Sequence, residues 1–398
     1  MADAEVALRK LLDQTLDDLQ YKPREVALHT TNSGGGNYTT ALFTIDVTSP
    51  GKDDLHLFAK VAIVEGMLRE EMAAEDLYKT EDLFYNKLMK YYELLQQEHG
   101  VPEEHRIVFP KLYACSCVQG EETFIFDNLN KQGFDMYSRL DSVDFEHAAA
   151  AISNLAKFHA LSFAFEREYP EEFREIAVPR PFRQVRSESR QSFIENIKNN
   201  VGAIEDVELM GRVGRFLQEE TTKEGAGSKR GDFMRYYGPL GTNVIVHGDY
   251  RVSNVMYKRE EGKLSSIILD YQLVHGGCPV SDIMYFVSLG SDEEFRRQHF
   301  DELLQHYHEE LALALRRLHL DVADVYSREQ FEKEVKEAQP FALVAGLVIL
   351  PMVTVEAASA PNILGKDAEL SRLILKPNEL YKQRFNGIVR DCARWGVI

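Results

Sequence analysis

The chain has 398 residues, enough for one large domain or for two lobes that share a cleft. Its apolar, aromatic and charged fractions (44%, 10% and 28%) are those of a globular protein and exclude a disordered or fibrous chain. A formal net charge of −18 argues against nucleic acid or an anionic membrane as the main partner, since both attract Lys- and Arg-rich surfaces, but leaves room for a local basic pocket.

The first segment is charged and lacks the apolar core of a secretory signal. Val6, Leu8, Leu11, Leu12, Leu16 and Leu19 recur at helical spacing and predict a helix over 4–19. A Gly-rich turn follows at Ser33–Thr40 and runs into a predicted strand, Ala41–Val47. Turn residues at Ser49–Asp54 lead to a second strand, Leu55–Ile63, so this stretch reads as an antiparallel hairpin. Leu68–Gln97 is amphipathic and helical, and two β-rich runs then bracket a turn at Gln119–Gly120.

After Phe134 helices dominate: Asp144–Glu166, much of Gln191–Glu219, and the chain from Asp292 onward. Thr221–Asp232 reads as a solvated loop, and Asn243–His247 and Ser265–Leu269 as short strands. Phe341–Leu350 is the most apolar segment, but Pro351 ends it too soon for a membrane span, so a buried helix is expected. The predicted architecture is α+β and bilobal: a small antiparallel-sheet lobe over residues 1–128 and a large, mainly helical lobe over 129–398. Four scattered cysteines (Cys115, Cys117, Cys278, Cys392) have no zinc-ligand spacing and suggest a reducing, cytoplasmic setting.

The most informative segment is Val244–Tyr257, followed by Ile267–Gln272. In each, an apolar strand ends abruptly in a carboxylate. Asp249 is followed five residues later by Asn254, and Asp270 follows a hairpin-length gap. Phosphoryl transfer needs this set: one carboxylate to orient the attacking hydroxyl and take its proton, and an amide oxygen with a second carboxylate to hold Mg²⁺ on the nucleotide phosphates. Any one of these residues alone reads better as a surface turn or a strand cap. Together, His247-Gly248-Asp249, then Asn254, then Asp270-Tyr271-Gln272, match the order and spacing of a kinase-type catalytic loop. Asp249 is the candidate base, and Asn254 and Asp270 the candidate metal ligands. His247 is expected to hold the turn by a hydrogen bond and Gly248 to permit its tight backbone. The Asp-Phe-Gly and Ala-Pro-Glu landmarks of protein kinases are missing, which points away from a protein substrate.

Such a site also needs a Gly-rich loop over the ATP phosphates and a cation on the next strand. Ser33, Gly34, Gly35 and Gly36 offer the loop, although three glycines alone mark only a turn. Lys60 lies inside an apolar strand; it is either an edge lysine facing water or the phosphate-binding cation, and the downstream loop favours the second. Glu70, Glu71, Glu75, Glu81 and Asp82 are its possible partners. Glu81 is selected because Phe84 and Tyr85, one turn on, would face a core. Phe124–Leu129 is the expected hinge, with backbone near Phe126 and Asn128 receiving adenine.

These residues resemble the ecdysteroid kinase-like family, of the choline-kinase and aminoglycoside-phosphotransferase branch of the kinase-like superfamily. The resemblance rests on the Gly-rich loop with Asn37-Tyr38, Lys60, Glu81 with Phe84-Tyr85, the FDNLNKQGF hinge, the LAKFHALSFA helix, VHGDYRVSNVMY and LDYQLVHGGCPVSDIMYF. It runs from about Ser33 to Phe286. It implies an ATP- and Mg²⁺-dependent kinase for a small-molecule alcohol, with ecdysteroids as the namesake acceptor and no obligate protein partner. By the same resemblance, Asp282 is a structural brace for the catalytic loop. Tyr250, Arg251 and Ser253 depart from the Trp, Cys or Asn that members often carry there, and Arg251 bears on what the pocket accepts. His159 reads as a satisfied core histidine, and His275–Val280 as a segment near the acceptor. The alternative is a catalytically silent kinase-fold protein that binds a small hydrophobic ligand; such a protein usually lacks the base, a metal ligand or the strand lysine, and all three are present.

Overall fold

The computed structural model describes residues 2–31, 40–179, 187–222, 233–356 and 375–398. The N-terminal part is a five-stranded antiparallel sheet, ordered β1-β2-β3-β5-β4, of β1 (Glu25–Thr31), β2 (Thr40–Thr48), β3 (Leu55–Ala62), β4 (Leu112–Ser116) and β5 (Thr123–Asp127). Side chains alternate across a strand, so Phe43, Ile45, Val47, Leu57, Ala59, Val61 and Ile125 share one face. Helix α1 (Ala2–Asp18) covers that face with Leu8, Leu12 and Leu16, one turn apart. The same alternation sends Lys60 to the opposite face, across from Phe124 in the register.

That second face meets the segment read as one helix over 68–97. It is divided into α2 (Gly66–Glu71), α3 (Ala74–Leu83), a π-helical turn at Phe84–Leu88, and α4 (Met89–Glu98). The break falls at Ala73, in the left-handed region with φ 53°. The π turn adds a residue to one turn and re-aims Phe84, Tyr85 and Leu88, all buried, into the core.

The remainder is helical around two small sheets, one pairing β6 (Asp135–Met136), β8 (Val255–Glu260) and β9 (Lys263–Ile268), the other β7 (Val244–Val246) and β10 (His275–Gly277). Helix α5 (Phe145–Glu168) starts at Asp144, whose carboxylate accepts the His147 amide as an N-cap. After α6 (Pro170–Ile176), α7 (Ser187–Val201) and α8 (Val207–Thr222), every residue of α9 (Pro279–Gly290) is buried. Helices α10 (Glu293–Arg317), α11 (Val322–Val325), α12 (Arg328–Ala338), α13 (Pro340–Val348), α14 (Leu350–Val353) and α15 (Glu379–Arg394) complete the fold. Phe341–Leu347 of α13 and Leu350 at the start of α14 are buried, with Val348 and Ile349 half-buried, and among the described residues no helix is long and apolar enough to cross a membrane. Most of the Thr221–Asp232 loop lies outside the described residues.

Candidate active site

Strand β7 is buried along its length and delivers the chain to His247-Gly248-Asp249. Gly248 has φ +79°, and a Cβ there would sit 2.4 Å from the Leu273 carbonyl oxygen, so glycine is required on two counts. Asp282, one turn into α9, accepts the His247 amide at 2.7 Å on Oδ2 and the Gly248 amide at 2.9 Å on Oδ1. Burial works against its charge, but the His159 hydrogen bond, the nearby histidines and the His247 amide hold its carboxyl below the usual range. His247 bridges the next layer: its Nε2 donates to the Leu269 carbonyl at 2.9 Å, and its Nδ1 accepts the Asp249 amide at 3.3 Å. His159 is fully buried between the Tyr307 hydroxyl and Asp282.

The Asp249 carboxylate is thereby fixed at a strand end, with 10% of its side chain exposed. Tyr285 donates to its Oδ1 at 2.8 Å, while Arg251 Nε and Asn254 Nδ2 reach its Oδ2 at 3.2 and 3.0 Å. Arg251 is held above the ordinary arginine value: burial opposes its charge, and Asp249 outweighs that burial. The Asn254 amide nitrogen also donates to the Asp249 carbonyl at 2.9 Å. The Asn254 carbonyl accepts the Leu269 amide at 2.9 Å, continuing the β8–β9 register in which Val255 faces Ile268. This hairpin sets Asn254 opposite Leu269, the residue before Asp270.

Asp270 takes the left-handed region, φ 66°, which Asp tolerates better than most residues. Its Oδ1 accepts Lys60 Nζ at 2.7 Å, and Lys60 also donates to Glu81 Oε1 at 2.8 Å. Glu81 is the helix carboxylate that reaches Lys60; Glu75 pairs with Lys79, and Asp82 accepts from Asn86 and Cys115. Burial opposes the Lys60 charge, but Asp270 and then Glu81 outweigh it and hold the lysine above its ordinary value. Burial also opposes ionisation of Asp270, and Lys60 keeps it below the usual carboxylate range. Glu81 goes the other way: 1% exposed, with Oε2 unpartnered, it is pushed up by burial to about 7 despite Lys60. Asp270 is therefore the principal counter-charge of the lysine.

An aromatic stack locks this junction. Tyr271, next to Asp270, lies flat against Phe84 of the π turn at 3.6 Å between ring centroids, and also contacts Tyr85 and His247. Lys60, Glu81, Asp249, Asn254 and Asp270 thus belong to one connected network. At the expected hinge, the Asp127 amide already donates to the Lys111 carbonyl and the Asn128 amide to the His56 carbonyl. These two amides are not donors left over for a base, and Phe126 is held inside the sheet between β3 and β4. Ser33, Gly34, Gly35 and Gly36 lie outside the described residues. His275–Val280 is buried throughout, with His275 bonded to the Leu273 and Tyr237 carbonyls, so it is an inner strand and turn and not an open wall. The sequence reading missed the Tyr285 contact; only its place three residues after Asp282 in a helix hinted that it faces the loop.

A small sheet lobe, a helical lobe and this network at their junction give a bilobal α+β architecture. Residues 34–320, over two thirds of the chain, match the model of the ecdysteroid kinase-like family, and the chain belongs to that family. Similar solved structures include a choline kinase from Cryptosporidium parvum Iowa II, at TM-score 0.47 and 11% identity, covering 94% of this chain and 91% of that one. A Plasmodium vivax ethanolamine kinase matches at TM-score 0.42 and 12% identity over 84% and 78% of the two chains. A microcompartment-associated aminopropanol kinase matches at TM-score 0.38 and 10% identity over 97% and 96%. No curated protein sequence matches the chain.

Proposed function

We propose that this protein is an ATP- and Mg²⁺-dependent phosphotransferase acting on a hydroxyl of a small molecule, with a steroid alcohol such as an ecdysteroid as the first acceptor to test. The observation that carries the reading is the ion-pair chain Glu81–Lys60–Asp270, which ties a sheet lysine to a carboxylate from the other lobe, in line with the Asp249 loop. In this reading residues 1–128 form the nucleotide lobe, and residues 129–398 carry the catalytic loop, the metal ligands and the acceptor pocket. Lys60 binds the α/β-phosphates and Glu81 orients it. Ser33–Gly36 cover the phosphates, and adenine meets the backbone around Phe126 and Asn128 through groups other than the two engaged amides. Four free cysteines support a cytoplasmic setting.

The donor set fits Mg²⁺. Asn254 gives its amide hydrogens to Asp249, and no donor reaches its Oδ1 among the described residues. That oxygen and the Asp270 carboxylate are hard donors. Among the described residues no group of three or more His, Cys, Asp or Glu could hold a metal. Two protein ligands supplemented by phosphates and water is the usual arrangement for Mg²⁺ at a nucleotide. When bound, the ion offsets charge on the phosphates. Asp249 orients the acceptor hydroxyl and accepts its proton; Asn254 holds the Asp249 carboxylate in place; Lys60 draws the nucleotide phosphates into line.

The test is ADP release by purified protein given Mg·ATP and a panel of hydroxyl compounds that includes ecdysteroids, with Asp249→Ala expected to abolish it. Retained turnover in Asp249→Ala would show the base to be wrongly assigned. A Mg·ATP thermal shift separates an enzyme from a silent protein, because a ligand that binds the native state raises its apparent stability.

A further inference from the structure

Helix α9 grips the loop after β7 at two points one turn apart. Asp282 takes its backbone amides, and Tyr285, three residues on, takes the Asp249 side chain. A carboxylate oxygen has two lone pairs. At Oδ2 both are engaged, by Arg251 Nε and Asn254 Nδ2; at Oδ1 the Tyr285 hydroxyl is the one donor among the described residues. One lone pair on Oδ1 is therefore left for a proton. We propose that Tyr285 is a positioning residue for phosphoryl transfer, its hydroxyl holding Asp249 so that Oδ1 takes the acceptor's proton.

The step balances as follows. The acceptor O–H bond breaks as its oxygen bonds to the γ-phosphorus, and the proton goes to Oδ1. The bond from that phosphorus to the bridging oxygen breaks, with its electron pair leaving on ADP. Tyr285 keeps its own proton throughout. Burial first, and the neighbouring Asp249 charge second, keep its phenol protonated. The ring rests near Phe341, 6.0 Å between centroids, so the hydroxyl is aimed by packing from α13. The proposal rests on the reading of Asp249 as the base.

Tyr285→Phe deletes one oxygen and leaves the ring. It is to be compared with wild type, Asp249→Asn and the double variant, using ADP release from Mg·ATP with water and with a polyhydroxylated steroid as acceptors. We expect kcat to fall about 10- to 100-fold in Tyr285→Phe, while the KM for ATP stays within about twofold, as expected for a group acting only in the transition state. The double variant should be no slower than Asp249→Asn alone, because the hydroxyl acts through that carboxylate. Crystal structures with Mg·ADP should show the Asp249 carboxylate turned by more than about 30° in Tyr285→Phe, out of its wild-type rotamer. An unmoved carboxylate, wild-type kcat, or an additive further loss in the double variant would overturn the proposal. If wild type binds Mg·ATP yet releases no ADP, the phosphotransferase reading fails, and the carboxylate's position still decides the clamp.

Discussion

Replacing Lys60 by Met tests whether one ammonium holds the two lobes in register. At an effective dielectric near 20, unit charges at the 2.7 Å Lys60–Asp270 separation attract by about 6 kcal/mol. Much of that is offset by desolvation of the lysine, and breaking a buried pair usually costs about 3–5 kcal/mol because a bare charge is left behind. Two features lower the expectation here. Glu81, already pushed up to about 7, sheds its charge by taking a proton, and the Asp270 side chain is 22% exposed and recovers water. We expect a loss of about 2–4 kcal/mol, read from the urea midpoint at pH 7, together with loss of the Mg·ATP thermal shift. Glu81→Gln should cost only about 1 kcal/mol, since burial already disfavours the charge it removes and the amide that replaces it still hydrogen-bonds. The folded pKa of Glu81 lies above its unfolded value near 4.5, so its contribution to stability is present below pH 4.5 and is lost as pH rises through about 7. Glu81→Gln should flatten that slope. A Lys60→Met midpoint equal to wild type, or a Glu81→Gln loss as large as that of Lys60→Met, would refute this account of the triad.

The clamp of Asp282 on the Asp249 loop gives two further expectations. Asp282→Asn leaves one acceptor oxygen for two buried amides, so we expect a loss of about 2–4 kcal/mol in chemical unfolding. Because the folded pKa of Asp282 is depressed, its contribution is present above the unfolded value of about 4 and is lost as pH falls through the lower folded value, so the gap to wild type should narrow in acid. Gly248→Ala and Gly262→Ala form a matched pair with φ near +80°: the first drives a Cβ against a backbone carbonyl, the second points into open space. The conformational cost of about 1–2 kcal/mol is common to both, so melting temperatures should show a much larger fall at Gly248, and equal falls would dismiss the steric argument.

Much of this arrangement was legible because short segments carry their own instructions. Apolar alternation in β2 and β3 fixed both strands and placed Lys60 opposite the α1 face. Phe84 and Tyr85 marked the helix face that carries Glu81 toward Lys60. Strand β1 was missed because it is an edge strand with no fully buried residue: exposed and half-buried positions alternate only over Glu25–His29, a short signal followed by the exposed Thr30 and Thr31. The break at Ala73 and the π turn were missed because no Gly or Pro lies between Met67 and His99 to punctuate the helix. The hinge amides could not be foreseen as engaged, since their partners at His56 and Lys111 are set by strand register. Tyr285 escaped for the same reason: its partner is 36 residues away, and packing alone brings them together.

The network divides into fixed and exchangeable parts, and the division follows from which partners a nucleotide could replace. The amides of His247 and Gly248 are buried and bonded to Asp282, the His247 ring is bonded on both nitrogens, and Gly248 admits no side chain. No ligand can take over those bonds without unfolding the loop, so the Asp249 backbone is set before anything binds. The Lys60–Asp270 contact is different in kind. Both groups keep some exposure, 14% and 22% of their side chains, and on the proposed function Mg·ATP would offer each a partner of opposite charge: phosphates for the lysine and the metal for the carboxylate. In the structure the two neutralise one another across the lobe junction. On the proposed function, nucleotide binding exchanges that contact for two new ones without leaving either charge bare, while the buried Glu81 remains to steer Lys60. The Asp249 loop is thus held by bonds no ligand can replace, and the Lys60–Asp270 contact is the part of the proposed site able to change partners.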